Sequence, residues 1–122
     1  MPHETDLTTT HFVEGSTPRI GYTLKDEAGA TITSALTTQE ASIYDEATGT
    51  VVPTWTDKDI DGAEGNSVAS GVGTWDLPVS ATAKIGDNEF EDHIIAMKFT
   101  YGSGRVGKHL IKVRVYRQAV GG

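Results

Sequence analysis

Residues 90–117 read FEDHIIAMKFTYGSGRVGKHLIKVRVYR and carry the clearest fold signal in the chain. Two runs of alternating apolar and polar residues, Phe90 to Tyr101 and Arg105 to Arg117, flank the loop Gly102-Ser103-Gly104. Alternation with a period of two is typical of strands buried on one face, and a short glycine loop between two strands predicts a hairpin. We therefore expect a long C-terminal hairpin whose apolar face packs against a second sheet.

Earlier segments repeat this alternation. Pro18 to Lys25 ends at a glycine-containing turn, Ala41 to Asp45 and Thr50 to Trp55 flank a second turn, and Gly73 to Pro78 follows a long polar run from Asp57 to Gly73. We interpret that run as a surface loop. Together the segments predict an all-β, immunoglobulin-like antiparallel β-sandwich of about seven or eight strands.

The length of 122 residues accommodates one domain. We expect an N-terminal arm over residues 1–11, a β-sandwich over 12–118 and a C-terminal tail over 119–122. Residues 1–11 are too polar to form a core of their own, which favours an arm laid on a neighbouring subunit. An arm folded back on its own domain is the alternative.

Composition excludes several classes of protein. The absence of cysteine removes disulfides, thiolate metal sites and thiol catalysis. No apolar run approaches the roughly 18 residues of a membrane span, and Met1 to Asp6 lacks the features of a signal peptide, so we expect a soluble protein with no membrane partner. The net charge of −7 argues against nucleic acid as a partner.

Charge is unevenly distributed along the chain. All 17 acidic residues lie at or before Asp92, whereas six of the ten basic residues lie from Lys98 onward. Such asymmetry can orient a subunit against its neighbour. The alternative is that a basic strand simply pairs beside acidic ones.

The sequence from Asp57 to Gly62, DKDIDG, places carboxylates at alternate positions before a glycine, like the opening of an EF-hand calcium loop. Asp57, Asp59 and Asp61 are therefore candidate calcium ligands. The motif is incomplete, because Val68 stands where the bidentate glutamate of an EF-hand belongs. A solvated acidic loop without a cation is the favoured interpretation, so no cofactor is expected.

The sequence offers no catalytic constellation. His3, His11, His93 and His109 are scattered and fit no metalloprotease spacing, and no serine lies in a G-x-S-x-G motif. His93 shares a strand face with Glu91 and is a candidate cross-strand partner of His109. We therefore expect a protein that is not an enzyme, since a base needs a nucleophile and an orienting group within reach.

Three segments together carry a family resemblance: Gly15 to Gly29 (GSTPRIGYTLKDEAG), Ala41 to Asp45 (ASIYD) and Gly73 to Leu77 (GTWDL). Their order resembles the immunoglobulin-like N-terminal domain of phage baseplate upper proteins and related small virion proteins, over most of residues 8–117. The resemblance implies a structural role in a bacteriophage particle without catalysis, and transfers no site residue. Because no stalk or tip follows Gly122, it favours a connector or decoration subunit.

We accordingly expect a virion structural or accessory protein, in the capsid decoration, neck or tail, that binds neighbouring virion proteins or its own copies. Its expected partner surface combines the N-terminal segment with the terminal hairpin, whose exposed edge would accept a strand from another subunit. The residues expected at that surface are Leu7, His11, Phe12, Lys108, Lys112, Arg114 and Tyr116.

The alternative function is a calcium-dependent carbohydrate- or ligand-binding module. It would use the loop from Asp57 to Asp61 beside an exposed Trp55. Trp55 and Trp75 both lie in strand-like alternation, where tryptophan more often fills a core. An exposed tryptophan favours the binding module, and two buried tryptophans disfavour it.

Overall fold

The computed structural model describes residues 3–86 and 89–117, and these residues form two sheets of β-strands packed face to face. The strands are β1 (His3–Val13), β2 (Arg19–Thr23), β3 (Leu36–Asp45), β4 (Lys58–Asp59), β5 (Asn66–Ala69), β6 (Val72–Asp76), β7 (Phe90–Tyr101) and β8 (Arg105–Tyr116). A single 3₁₀ turn, Val79–Thr82, is the helical content of the described residues. None of their helical structure is long and apolar enough to cross a bilayer.

The five-stranded sheet has the order β1-β8-β7-β3-β4, and the three-stranded sheet has the order β2-β6-β5. The expected all-β immunoglobulin-like sandwich is confirmed. One pairing departs from the antiparallel expectation: β1 lies parallel to β8. Parallel pairing is open to these two strands because almost the whole domain connects them, whereas a tight turn forces an antiparallel pair.

The C-terminal hairpin is confirmed as β7 and β8, which pair antiparallel from Phe90↔Tyr116 to Tyr101↔Arg105. Its position corrects one expectation, however. Because β1 covers the outer side of β8 and β3 covers that of β7, the hairpin has no free edge to accept another strand. The edges of the five-stranded sheet are β1 and β4 instead.

The N-terminal segment is an edge strand rather than an arm. From His3 onward it pairs with β8, with a register shift between Leu7 and His11. Phe12 is buried in the core, and Leu7 packs against the core from a half-buried position. Polar side chains did not prevent this because an edge strand is held by its backbone hydrogen bonds while one side faces water. The tail over residues 119–122 lies outside the described residues.

Two elements of the central region differ from expectation. The polar run from Asp57 to Gly73 contains β4 and β5 rather than an unbroken loop. Strand β5 lacked a sequence signal because its buried residue is Asn66. Conversely, Thr50 to Trp55 forms an isolated bridge between Tyr44 and Val51 instead of a strand.

The core lies between the two sheets and contains both tryptophans. Trp55 and Trp75 are each fully buried, with ring centroids 5.9 Å apart. The Trp75 Nε1–H donates to the Glu64 carbonyl at 2.9 Å, and the Trp55 Nε1–H donates to Ser80 Oγ at 3.2 Å. Each indole thus combines a large buried surface with a satisfied polar atom.

A buried polar network crosses the core. The Tyr22 hydroxyl donates to Asn66 Oδ1 and accepts from Gln39 Nε2 at 2.9 Å. Asn66 Nδ2 donates in turn to Gln39 Oε1 at 2.8 Å and to the Ile60 carbonyl at 2.9 Å. Gly73 provides the space for the ring, since a Cβ there would stand 2.1 Å from Tyr22 Cζ. The three side chains therefore fix one arrangement of the two sheets.

Alkaline pH is expected to destabilise the domain through Tyr22. Burial raises its pKa from the ordinary 10.0 to about 12. Because the folded-state pKa is the higher one, the stabilisation is complete below pH 10 and is lost as pH rises toward 12. The slope is about 1.4 kcal/mol per pH unit, or about 3 kcal/mol across the interval. Urea unfolding of the wild type and Tyr22→Phe between pH 8 and 12 measures it. An identical pH dependence in both proteins would exclude Tyr22 as the cause.

Candidate functional site

The outer face of the five-stranded sheet carries an apolar row that the core does not use. In register across the sheet, Tyr44 lies opposite Ile94, and Ala96 lies opposite Leu110. Ile94 is buried although it points away from the core, and the other three are half-buried. We call these four residues the outer apolar row. An apolar group framed by charged residues on a sheet surface is typical of a protein-binding surface.

One end of the outer face bears an aromatic and cationic group. Phe90 is 40% exposed, and its ring centroid lies 5.7 Å from that of Tyr116. The Arg114 guanidinium carbon lies 4.3 Å from the centre of the Phe90 ring. Asp92 holds this guanidinium by two hydrogen bonds, at 2.7 and 3.2 Å, which raise the pKa of Arg114. Aromatic and arginine side chains of this kind are enriched at protein interfaces.

Three basic residues of the hairpin, Lys98, Lys112 and Arg114, are paired with acidic side chains. Lys112 Nζ lies 3.1 Å from Glu46 Oε2, and Lys98 Nζ lies 3.6 Å from Glu40 Oε1. Part of the charge asymmetry of the sequence is therefore neutralised within the fold. This agrees with the alternative of basic strands beside acidic neighbours, and it leaves the outer apolar row as the distinctive feature of this face.

The structure brings together only part of the predicted partner surface. Lys112, Arg114 and Tyr116 share the outer face, and Lys108 is exposed on the same side of β8. Leu7 and Phe12 instead face the core, opposite Val113 and Val115 of β8; Phe12 is buried, and Leu7 packs against the core from a half-buried position. The side chain of His11 lies outside the described part of the structure. Alternation along β1 failed to reveal this because of the register shift after Leu7.

The acidic loop does not gather its carboxylates. Asp59 Oδ1 accepts the Asp61 N–H at 3.0 Å, and Asp57 Oδ1 accepts Ser42 Oγ–H at 3.4 Å. Among the described residues, the group whose ligand atoms all lie within 4.8 Å of one another is elsewhere and contains none of these three. The burial of both tryptophans also removes the exposed aromatic that a calcium-dependent binding module needs.

A compact cluster of side chains that can bind a metal lies where the end of β3 pairs with the beginning of β7. Asp45, Glu91 and His93 are all buried, and their ligand atoms lie within 4.8 Å of one another. Asp45 is paired directly with His93 across the two strands, and Glu91 lies two residues before His93 on the same face. We call these three residues the buried triad. Asp45 and Glu91 also line a groove of about 380 Å³, whereas His93 is fully buried behind it.

Glu91 is the best-bonded member of the buried triad. Its Oε1 accepts the Ile85 N–H at 2.8 Å and contacts His93 Nε2 at 2.9 Å, while Oε2 accepts the Gly86 N–H at 2.6 Å. Lys84 Nζ lies 3.8 Å from Oε2. Burial raises the pKa of Glu91, but the hydrogen bonds from Ile85, His93 and Gly86 outweigh it and hold the pKa below its ordinary value. Glu91 is therefore an anion at neutral pH.

The other two members, His93 and Asp45, make fewer hydrogen bonds than Glu91. His93 Nδ1 is buried and has no hydrogen-bond partner. Asp45 Oδ2 accepts the Thr48 N–H and hydroxyl at 3.1 and 2.8 Å. A buried imidazole nitrogen without a partner costs about 1–3 kcal/mol. The suggested pairing of His93 with His109 is not found, because His109 lies opposite Met97 and contacts Thr5 Oγ1 at 2.8 Å.

The sequence pattern placed two members of the buried triad, Glu91 and His93, on one strand face and did not predict the third, Asp45. Glu91 and His93 share a strand face by their spacing, which the alternation shows directly. Asp45 could join them only through the register of β3 on β7, and no local pattern encodes that register. The hairpin turn after Asp45 was the one available signal, since Asp45 both ends the strand and accepts the Thr48 N–H of the turn.

No protein-family model and no curated protein matches the chain. Among solved structures the chain is similar to CopC from Methylosinus trichosporium OB3b, with a TM-score of 0.46 and 12% sequence identity. The match covers 96% of this chain and 87% of that protein.

Proposed function

We propose that the chain is a non-enzymatic structural or accessory subunit of a bacteriophage particle. It binds neighbouring virion proteins through the outer face of its five-stranded sheet. The observation that supports a binding role is the outer apolar row on the face of the sheet that points away from the core, in which Tyr44, Ala96 and Leu110 are half-buried and Ile94 is buried. The virion context is supported by the resemblance of Gly15 to Gly29 and the later segments to phage virion domains.

The outer face has the character expected of such a contact. Its centre is apolar, and its rim carries the ion pairs Arg114–Asp92, Lys112–Glu46 and Lys98–Glu40. A partner covering the centre would gain from burial of apolar surface, while the rim would define orientation. The exposed Phe90 and the half-buried Tyr116 extend the same face toward its end.

Leu110→Arg is expected to lower the amount of this protein in purified particles by at least about tenfold, the effect of losing one central contact. Leu110 lies opposite Glu4 of β1, so an arginine is accommodated in the fold while it places bulk and charge in the row. The measurement is quantitative mass spectrometry of gradient-purified virions from phage carrying the variant.

Thr74→Arg is the matched control, because Thr74 is exposed on the outer side of the three-stranded sheet, between Gly21 and Ser67. It should be incorporated like the wild type. Equal incorporation of Leu110→Arg and the wild type would exclude the outer apolar row as the contact. Absence of the wild-type protein from purified virions would overturn the particle role itself. Light scattering of the free chain distinguishes self-association from binding to other proteins.

A further inference from the structure

We propose that the buried triad, Asp45, Glu91 and His93, binds one divalent transition-metal cation, with Zn²⁺ the ion that its mixed ligand set suits best. The proposal is independent of the particle role, since the triad faces the core and the outer apolar row faces away from it. It also lies apart from the acidic loop that the sequence indicated as a calcium candidate.

The arrangement of ligand atoms supports a cation. Two carboxylates and one imidazole, all within 4.8 Å, lie close to the separation of about 3.0–3.5 Å that ligands adopt around a cation with bonds of roughly 2.0–2.2 Å. The contact between His93 Nε2 and Glu91 Oε1, at 2.9 Å, is already at that separation. Metal binding requires the Asp45 carboxylate, which lies within 4.8 Å, to approach to the same distance.

His93 provides the independent indication of a ligand. It is fully buried, and its Nδ1 has no hydrogen-bond partner. When Nε2 carries the proton and donates to Glu91, Nδ1 holds a lone pair that no protein group uses. Nε2 is the nitrogen that faces Glu91, so a cation bound by both side chains would be coordinated through Nε2 and would replace the proton that they share. The ring proton would then reside on Nδ1, outside the set of metal ligands.

The surroundings explain both access and selectivity. Asp45 and Glu91 reach the surface at the groove of about 380 Å³, which gives a cation a path and leaves room for a water ligand. One nitrogen and two carboxylate oxygens favour Zn²⁺ over Ca²⁺ or Mg²⁺, which prefer all-oxygen sites with six or more ligands. Lys84 opposes binding, because its ammonium lies 3.8 Å from Glu91 Oε2 and would repel the cation.

Calorimetric titration of the EDTA-treated full chain with ZnCl₂ tests the proposal, with Mn²⁺, Ca²⁺ and Mg²⁺ titrated in parallel. We expect one Zn²⁺ per chain and a rise in melting temperature on binding. Asp45→Asn should weaken binding at least tenfold, since it removes a ligand charge with almost no change in shape. Lys84→Met should tighten binding by about tenfold because the repelling charge is lost.

Asp59→Asn is the matched control, because it removes an exposed carboxylate of the acidic loop, and it should bind Zn²⁺ like the wild type. Co²⁺ absorption in the visible range, compared between the wild type and folded His93→Gln, reports imidazole coordination directly. No saturable binding by the wild type would overturn the site. So would Zn²⁺ binding that Asp45→Asn leaves unchanged, since the cation would then occupy another position.

Discussion

Trp75→Ala is expected to destabilise the domain by about 3–5 kcal/mol, which is a large share of the 5–15 kcal/mol that typically holds a domain folded. The indole is fully buried and lies against Trp55 at 5.9 Å between centroids. Its removal leaves a cavity between the sheets and also deprives the Glu64 carbonyl of its donor. Urea unfolding followed by circular dichroism gives the change in unfolding free energy.

Val72→Ala provides the comparison for that measurement. Val72 lies on the same strand, β6, but is 55% exposed, so its truncation should change the unfolding free energy by less than about 0.5 kcal/mol. A loss below 1 kcal/mol for Trp75→Ala would show that the two sheets do not depend on this side chain for their packing.

Glu91→Ala is expected to cost about 3–5 kcal/mol of unfolding free energy when measured in EDTA, so that no cation contributes. Glu91 accepts the backbone N–H groups of Ile85 and Gly86 and lies 3.8 Å from the buried ammonium of Lys84. Alanine removes the acceptor of both backbone N–H groups and leaves the Lys84 ammonium with the Gly86 carbonyl, at 2.6 Å, as its remaining partner. Chemical denaturation at neutral pH measures the loss.

Glu27→Ala, in an exposed turn, controls for the loss of a carboxylate as such and should be nearly neutral. If Glu91→Ala proved equally mild, the segment around Ile85 and Gly86 would have to be held by contacts other than this carboxylate.

The sequence predicted the elements that alternation specifies and missed those that long-range pairing specifies. Strands β7 and β8 were evident because twelve residues of period-two pattern flank a glycine loop. Strand β5 was not, because its buried residue, Asn66, is polar and is accepted in the core only through Gln39, Tyr22 and the Ile60 carbonyl. No local pattern indicates partners such as Gln39 and Tyr22, which lie 27 and 44 positions from Asn66.

The contrast between local alternation and long-range pairing also applies to the buried triad and the outer face. The spacing of Glu91 and His93 placed them on one face, but the third member of the buried triad depends on the pairing of Asp45 with His93. The apolar face of the hairpin is buried, as predicted, and Lys112, Arg114 and Tyr116, which were expected at a partner surface, lie on the outer face. The outer apolar row was not predicted, because Tyr44, Ala96 and Leu110 come from three different strands.

The parallel pairing of β1 with β8 makes the first strand of the chain dependent on the last. Thr5 and His109, which are in contact, are 104 positions apart. During synthesis β1 therefore leaves the ribosome long before β8 exists, and the five-stranded sheet closes only after the final strand has emerged. Contacts this distant in sequence slow folding and prolong the time in which strand edges stay unpaired. A nascent chain of this protein is thus exposed to mispairing until β8 has left the ribosome.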